Sequence, residues 1–384
     1  MTNEHATPAF VEISLDNLVH NLHQVKSAVP SSLGIIAVVK DNAYGCGSVE
    51  IARSLEAHGV GFFAVAGGPE ARALRAGGVR SPILLLGVAA ARDIAWGADN
   101  GIHFSCTDLA DLSAFIESGK TLLIHLNIDT GMGRLGLSAS ELSRAIDFLR
   151  CNPRLVCEGI YTHLAKADNP DTGAISRQLI HFRKAVNALR ESAIRPPIVH
   201  YGNSAAIMRY PLEECTFVRP GISLYGCKPD PCQDFKLDLK PVLGLKSHIV
   251  KIKRVPAGTA VSYGGRYVTS ADTTIATIAA GYGQGVPRAL GGRGDVLAGG
   301  KRYGIAGTVT MDFIMIDTGP DPRVNVGDEA VIIGTQGPES ISPDEVAAHC
   351  NTIAYEILCN ISSTIDRFYL LDGAVVRFEP GRPF

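Results

Sequence analysis

Short apolar, β-branched runs alternate with segments of helical periodicity over the N-terminal half of the chain and beyond. The first run, "GIIAVVK", predicts a strand over 34–40, followed by a helix over about 48–58. Further strands are predicted over 62–66, 83–87, 102–106, 122–129, 156–164, 198–203 and 217–225. Helix-like segments such as "PEARALRAGG" and 171–191 lie between them. Eight strand-helix units in succession point to an α/β fold of the (β/α)8 TIM-barrel kind rather than to an open doubly wound sheet.

The texture changes after "KPDPCQDFKLDLKP". The segments "SHIVKIKRV", "TTIATIAAG", "FIMIDTG" and "EAVIIG", with many glycines between them, read as β-strands. One helix is predicted there, because Ser342, Pro343 and Glu345 supply an N-cap, a proline at the first helical position and a glutamate at the third. The expected organisation is a barrel over 1–240 and a C-terminal mainly β domain over 241–384, with about the first ten residues packing on the β domain.

Composition narrows the classes. The chain has 384 residues, 46% hydrophobic and 19% charged, and a net charge of -2. That balance is globular and offers no basic surface for nucleic acid. The longest apolar run, 83–91, is about half a membrane span, and the opening "MTNEHATPAF" lacks the pattern of an export signal. The nine cysteines are dispersed and form no C-x-x-C pair, so neither a disulfide framework nor a metal site is expected. These features together predict a cytoplasmic protein without a membrane partner.

Barrel active sites collect where strands end and the following loops begin. Lys40 stands there after the first strand, and an amine of lowered basicity condenses with aldehydes to form a Schiff base. Pyridoxal 5'-phosphate (PLP) is such an aldehyde, and it also requires a phosphate cradle and a group facing its ring nitrogen. Asn203 and Ser204 open a helix after the seventh strand, and Gly221 lets backbone amides approach a ligand after the eighth. Arg219 beside it is a permanent donor, so a ring nitrogen facing it would stay unprotonated and the cofactor would be a weaker electron sink.

"DTGMGRLG" satisfies the glycine spacing of a dinucleotide fingerprint at Gly131, Gly133 and Gly136. The capping box Ser138 to Glu141, however, starts its helix after the third glycine, which withholds the helix terminus from a pyrophosphate. Arg134 is better placed as an anion-facing loop residue. His163, at the end of the sixth strand, is placed to stack on or bond near a cofactor, and Tyr263 adjoins paired glycines in the β domain.

Taken in order, "AVVKDNAYGCG", "DTGMGRLG", "YTHLAKAD", "NSAA", "RPGISLYG", "VSYGGRY", "TVTMDFIMID" and "AYEIL" resemble alanine racemase from Phe10 to Phe368. The resemblance implies that Lys40 carries PLP and moves the α proton of D-alanine, while Tyr263 serves L-alanine from the opposite face. It implies that Tyr44, Ser204, Gly221, Ile222 and Tyr355 surround the phosphate, with Asn203 beside them. Arg219 would face the ring nitrogen with His163 adjacent, and Arg134 would bond the cofactor's phenolic oxygen and the substrate carboxylate. Met311 would offer that carboxylate its N–H, and Tyr282 and Asp312 would line the entrance. In the family Tyr263, Tyr282, Met311 and Asp312 come from a second subunit, so a homodimer with shared sites is implied. The product would supply D-alanine for peptidoglycan.

Some positions depart from the family pattern. Asn127 stands where many members have a lysine that becomes carbamylated. An amide cannot do so, and an anion such as chloride beside Asn127 and Arg134 is expected instead. "GYGQG" lacks the usual entrance carboxylate, Asp41 and Cys46 replace small or histidine residues, and Ala354 replaces an asparagine. These bear on substrate range, with serine the main alternative. A PLP-dependent decarboxylase of the same architecture is opposed by Arg219 and Tyr263, and a non-catalytic PLP carrier by the β domain.

Overall fold

A computed structural model describes residues 8–169, 172–230 and 237–382. The polar opening over 1–7 and the centre of the proline-rich segment, 231–236, lie outside the described residues.

Seven strands form one parallel sheet in chain order: Ala37–Val38, Phe63–Val65, Ile83–Leu85, Ile102–Cys106, Leu122–Asn127, Leu155–Tyr161 and Ile198–His200. An eighth, Phe217–Val218, pairs in parallel with Gly34–Ile35. Backbone bonds close the ring, from Thr216 N–H to the Val199 carbonyl on one side and from Ile36 and Val38 N–H to Val218 and Pro220 on the other. The barrel is therefore complete, with its strands buried on both faces as parallel strands require.

The eighth strand is much shorter than the apolar run over 217–225 predicts. Pro220 has no N–H to continue a ladder, and from Ile222 to Tyr225 the chain winds into a 3-10 helix. The first strand also stops short of Lys40. Its ladder ends near Val39, whose N–H bonds to the Ala64 carbonyl, and Lys40 begins the turn that follows.

The second sheet centres on Leu243–Val255, a 13-residue strand that pairs antiparallel with Thr273–Ile278, Glu329–Gln336 and Phe10–Ser14. Phe10–Ser14 is joined in parallel to Asp366–Leu371, so the start of the described chain is a strand of this sheet. The helix Pro343–Cys350 begins as predicted, with the Ser342 hydroxyl accepting from Glu345 N–H. Arg367, buried in this layer, donates to the Gly45 carbonyl at 3.0 Å and so ties the sheet to the barrel loop that carries Lys40.

Candidate active site

Lys40 heads a turn whose next four residues, Asp41 to Tyr44, all have φ between 52° and 54°, a left-handed helical turn built without glycine. Each such residue is sterically costly, so the surrounding contacts have to hold the turn. The Glu70 carboxylate accepts from Asp41 N–H at 2.5 Å and from Ala66 N–H at 2.7 Å, which locks the turn to the end of the second strand. The Asn42 side chain accepts from Ser48 N–H at 2.9 Å. Tyr44 then packs its ring 4.6 Å from Tyr225, whose hydroxyl donates to the Val38 carbonyl.

This turn forms one wall of a cavity of about 430 Å³ at the C-terminal mouth of the barrel. Most of the barrel residues singled out from the sequence line it: Lys40, Tyr44, Asn127, Arg134, His163, Asn203, Ser204, Arg219, Gly221 and Ile222, joined by Tyr355 from the β domain. Lys40, Arg134 and Arg219 are cations, and no carboxylate is among the described lining residues, that of Asp41 standing 3.9 Å from Lys40 Nζ, so the cavity suits an anionic ligand. The cationic field shows in His163. Burial, Arg219, Arg134 and Lys40 together hold its pKa down at about 3.

At one end lie the loops after the seventh and eighth strands. Asn203 caps the short helix Ser204–Arg209 by accepting from Ala206 N–H. The Ser204 hydroxyl accepts from Gly221 and Ser223 N–H, which pins the two loops together. A Cβ added at Gly221 would fall 2.6 Å from the Tyr44 hydroxyl, so glycine keeps this end open. Burial raises the pKa of Tyr44 and of Tyr355, so both phenols stay protonated donors.

Arg219 lies at the cavity base and is buried. Its two terminal nitrogens are saturated by protein. One donates to His200 Nδ1 at 2.7 Å and to the His200 carbonyl at 2.8 Å. The other donates to the Thr162 carbonyl at 3.0 Å and to His163 Nδ1 at 3.5 Å. The Nε–H has no hydrogen-bond acceptor among the described residues. Burial lowers the pKa to about 10, which still leaves the guanidinium charged at neutral pH.

Tyr263, Tyr282, Met311 and Asp312 do not line this cavity. They lie exposed on the β domain, Tyr263 at 72%, Met311 at 56% and Tyr282 at 45%. Backbone bonds from Tyr282 N–H to Thr310 and from Gly283 N–H to Met311 join the last three, and Tyr263 shares a surface hollow with Thr310 and Phe313. The glycine-spaced loop is spoken for by the protein itself. The Asp129 carboxylate accepts from Gly131, Met132 and Gly133 N–H, so those amides are not free for a pyrophosphate.

Family models identify what this arrangement belongs to. "Alanine racemase, N-terminal domain" matches residues 13–229, and "Alanine racemase, C-terminal domain" matches residues 242–369. The chain belongs to the alanine racemase family. It is 41% identical to an alanine racemase of Carboxydothermus hydrogenoformans, over 94% of this chain and all of that one. It is 39% identical to alanine racemase 2 of Bacillus subtilis, over 96% of each. The crystal structure of alanine racemase from Bacillus anthracis with bound L-Ala-P superposes with a TM-score of 0.92 at 37% identity, covering 97% of this chain and 98% of that one.

Alanine racemases are PLP-dependent, and the residues present fit that cofactor. An amine, a donor for an accepting ring nitrogen, and a hydroxyl-lined end kept open by glycine share one cavity. Several contributors to this site escape the sequence pattern. Glu70 reads as an ordinary helix carboxylate, Tyr225 as part of an apolar run, and Tyr161 as a strand residue. Tyr161 lines the cavity and stacks on His200 at 4.8 Å.

Proposed function

We propose that this chain interconverts L- and D-alanine in the cytoplasm as a homodimer and thereby supplies D-alanine for peptidoglycan. Lys40 and Tyr263 would be the two proton carriers, one on each face of the substrate. The observation that carries this reading is the separation of the two groups. Lys40 faces a cationic cavity in the barrel, while Tyr263 stands 72% exposed on the β domain, available to a second copy.

When bound, PLP withdraws electron density from the amino-bearing carbon and makes its hydrogen acidic. The protein supplies the rest. A proton returned by the group that removed it restores the original stereoisomer, so inversion requires a carrier on each side. Lys40 would hold the cofactor through its Nζ and exchange the proton on one face, and the Tyr263 hydroxyl would exchange it on the other. Arg134 and the Met311 N–H would fix the carboxylate, with Tyr282 and Asp312 at the entrance. Tyr44, Asn203, Ser204, Gly221, Ile222 and Tyr355 would hold the phosphate end, and Arg219, with His163 beside it, the ring nitrogen.

The test is a D-amino-acid oxidase assay after incubation with single L-amino acids. Lys40→Ala and Tyr263→Phe should each lower the rate by about 10²-fold or more, the scale of losing one positioned acid-base group. Lys40→Ala at near wild-type rate would remove the mechanism, and a preference for L-serine would change the substrate. Carbon dioxide released from ornithine, lysine or diaminopimelate would replace the racemase reading with the decarboxylase. Yellow protein without turnover would leave only a cofactor carrier.

Asn127 and Arg134 line the cavity together, and neither side chain has a protein hydrogen-bond partner among the described residues. An anion, chloride being the simplest, is proposed to bridge them. Crystals grown in bromide should show an anomalous peak between the two side chains, and a blank map there would count against the bridge.

A further inference from the structure

Three histidines outside the proposed proton transfer form a line through the barrel interior. His103 Nδ1 lies 3.0 Å from His125 Nε2, and His125 Nδ1 lies 2.9 Å from His200 Nε2. His200 Nδ1 meets Arg219 Nη1 at 2.7 Å. His125 and His200 are fully enclosed, and His103 is nearly so. Each ring comes from a different strand. His103 is the second residue of Ile102–Cys106, His125 the fourth of Leu122–Asn127, and His200 the last of Ile198–His200. The line therefore climbs from the barrel floor to the mouth.

Arg219 dictates the direction of every hydrogen in it. A guanidinium only donates, so His200 Nδ1 accepts and the single ring hydrogen of His200 sits on Nε2. His125 Nδ1 then accepts and its hydrogen also sits on Nε2. By the same step, His103 accepts on Nδ1 and carries its hydrogen on Nε2. A second proton on any of these rings would set two N–H groups against each other. Burial acts in the same sense, lowering the pKa of all three.

The fold makes room for the middle ring. A Cβ added at Gly159, on the neighbouring strand, would fall 2.2 Å from His125 Nδ1. The pairing register of the two strands also shifts between Ile124 and His125, opposite Cys157 and Gly159. A proton relay is not what this line provides, because its end at the cavity is a cation that cannot accept.

We propose that His103, His125 and His200 form a neutral, one-directional hydrogen-bond chain that positions Arg219, leaving its Nε–H as the one donor free for the ring nitrogen of the cofactor. The proposal rests on the placement of Arg219 against that nitrogen. His103 and His125 are positioning residues, since they act only through Arg219. Chained bonds polarise one another, so each ring makes the next a better acceptor for the guanidinium.

The test is solid-state NMR on protein labelled with 15N-histidine and 15N-arginine, with PLP bound and after its removal. Without PLP, all three rings should carry hydrogen on Nε2 and a bare Nδ1 across the neutral pH range. A doubly protonated ring, or hydrogen on Nδ1 of His125 or His200, would overturn the chain. His103→Leu should shift the His200 Nδ1 resonance and lower kcat about ten-fold at constant KM, the scale of one buried hydrogen bond. His103→Asn, whose amide oxygen replaces Nδ1 as acceptor, should restore both. An unmoved His200 signal and unchanged kcat in His103→Leu would sink the positioning role. Should His103→Leu not fold, Gly159→Ala presses on the middle ring instead. It should shift the same resonance and lower kcat in the same way, and if it moves neither the positioning role is lost. If the hydrogens lie as expected but PLP leaves the Arg219 Nε signal in place, the chain is upheld and the placement of Arg219 on the ring nitrogen falls.

Discussion

Burial, with the Arg75 cation acting in the same direction, holds the pKa of His103 down at about 4, whereas an unfolded histidine titrates near ~6.5. Between those values the unfolded chain binds a proton that the folded chain does not. Acidification through this window therefore favours unfolding, and the contribution is constant above about pH 6.5. In His103→Asn that contribution is gone. Wild-type Tm should fall more steeply than the variant's as pH drops from about 6.5 to 4, by no more than about 1.4 kcal/mol of stability per pH unit. Parallel Tm curves would mean that His103 takes up its proton as readily in the fold as in the unfolded chain. Residues of this kind mark the limit of what is legible in the sequence. Lys40, His163 and Arg219 are readable because each stands where a barrel strand gives way to its loop. His103, His125 and His200 each interrupt an apolar strand once, a pattern that suits a surface position as well as a buried one. Only closure of the barrel brings the three rings into line.

Periodicity predicts strands and helices, but it says little about how an element stops. The run over 217–225 is mostly apolar, yet it is a two-residue strand, a Pro-Gly break after Arg219 and a 3-10 turn. The break puts Gly221 N–H onto the Ser204 hydroxyl instead of into a ladder. The left-handed turn after Lys40 is equally hidden, since Asp41, Asn42, Ala43 and Tyr44 have no glycine to announce positive φ. Gly45 ends that turn at φ 80°, and a Cβ there would fall 2.4 Å from the Leu358 carbonyl. Leu358 lies on the helix Ala354–Cys359, which also carries Tyr355 to the cavity. Gly45→Ala should then act on two elements at once. It should cost about 2–4 kcal/mol from backbone strain and overpacking, read as a lower Tm. It should also weaken PLP binding, measured by equilibrium dialysis, because the Tyr355 helix has to retreat. A variant with lower Tm but native PLP affinity would show that the helix does not transmit the displacement.

Under the proposed reading, a single chain leaves the site incomplete. Its cavity holds Lys40 and the groups proposed to face the cofactor, whereas Tyr263, Met311, Tyr282 and Phe313 are exposed on the β domain, an apolar grouping that a solitary protein has little reason to display. If two copies pair so that each lends its tyrosine to the other's cavity, the symmetry of the pair makes a sharp prediction. Lys40→Ala and Tyr263→Phe chains, each inactive alone, would be co-expressed with different affinity tags and the mixed dimers isolated. One cavity of such a dimer combines both defects, and the other combines an intact lysine with an intact tyrosine. The mixed dimers should show about half the activity of wild-type dimers, from one working site in two. Were Lys40 and Tyr263 of the same chain the working pair, every site in the mixture would carry a defect. The mixed dimers would then be as inactive as their parents.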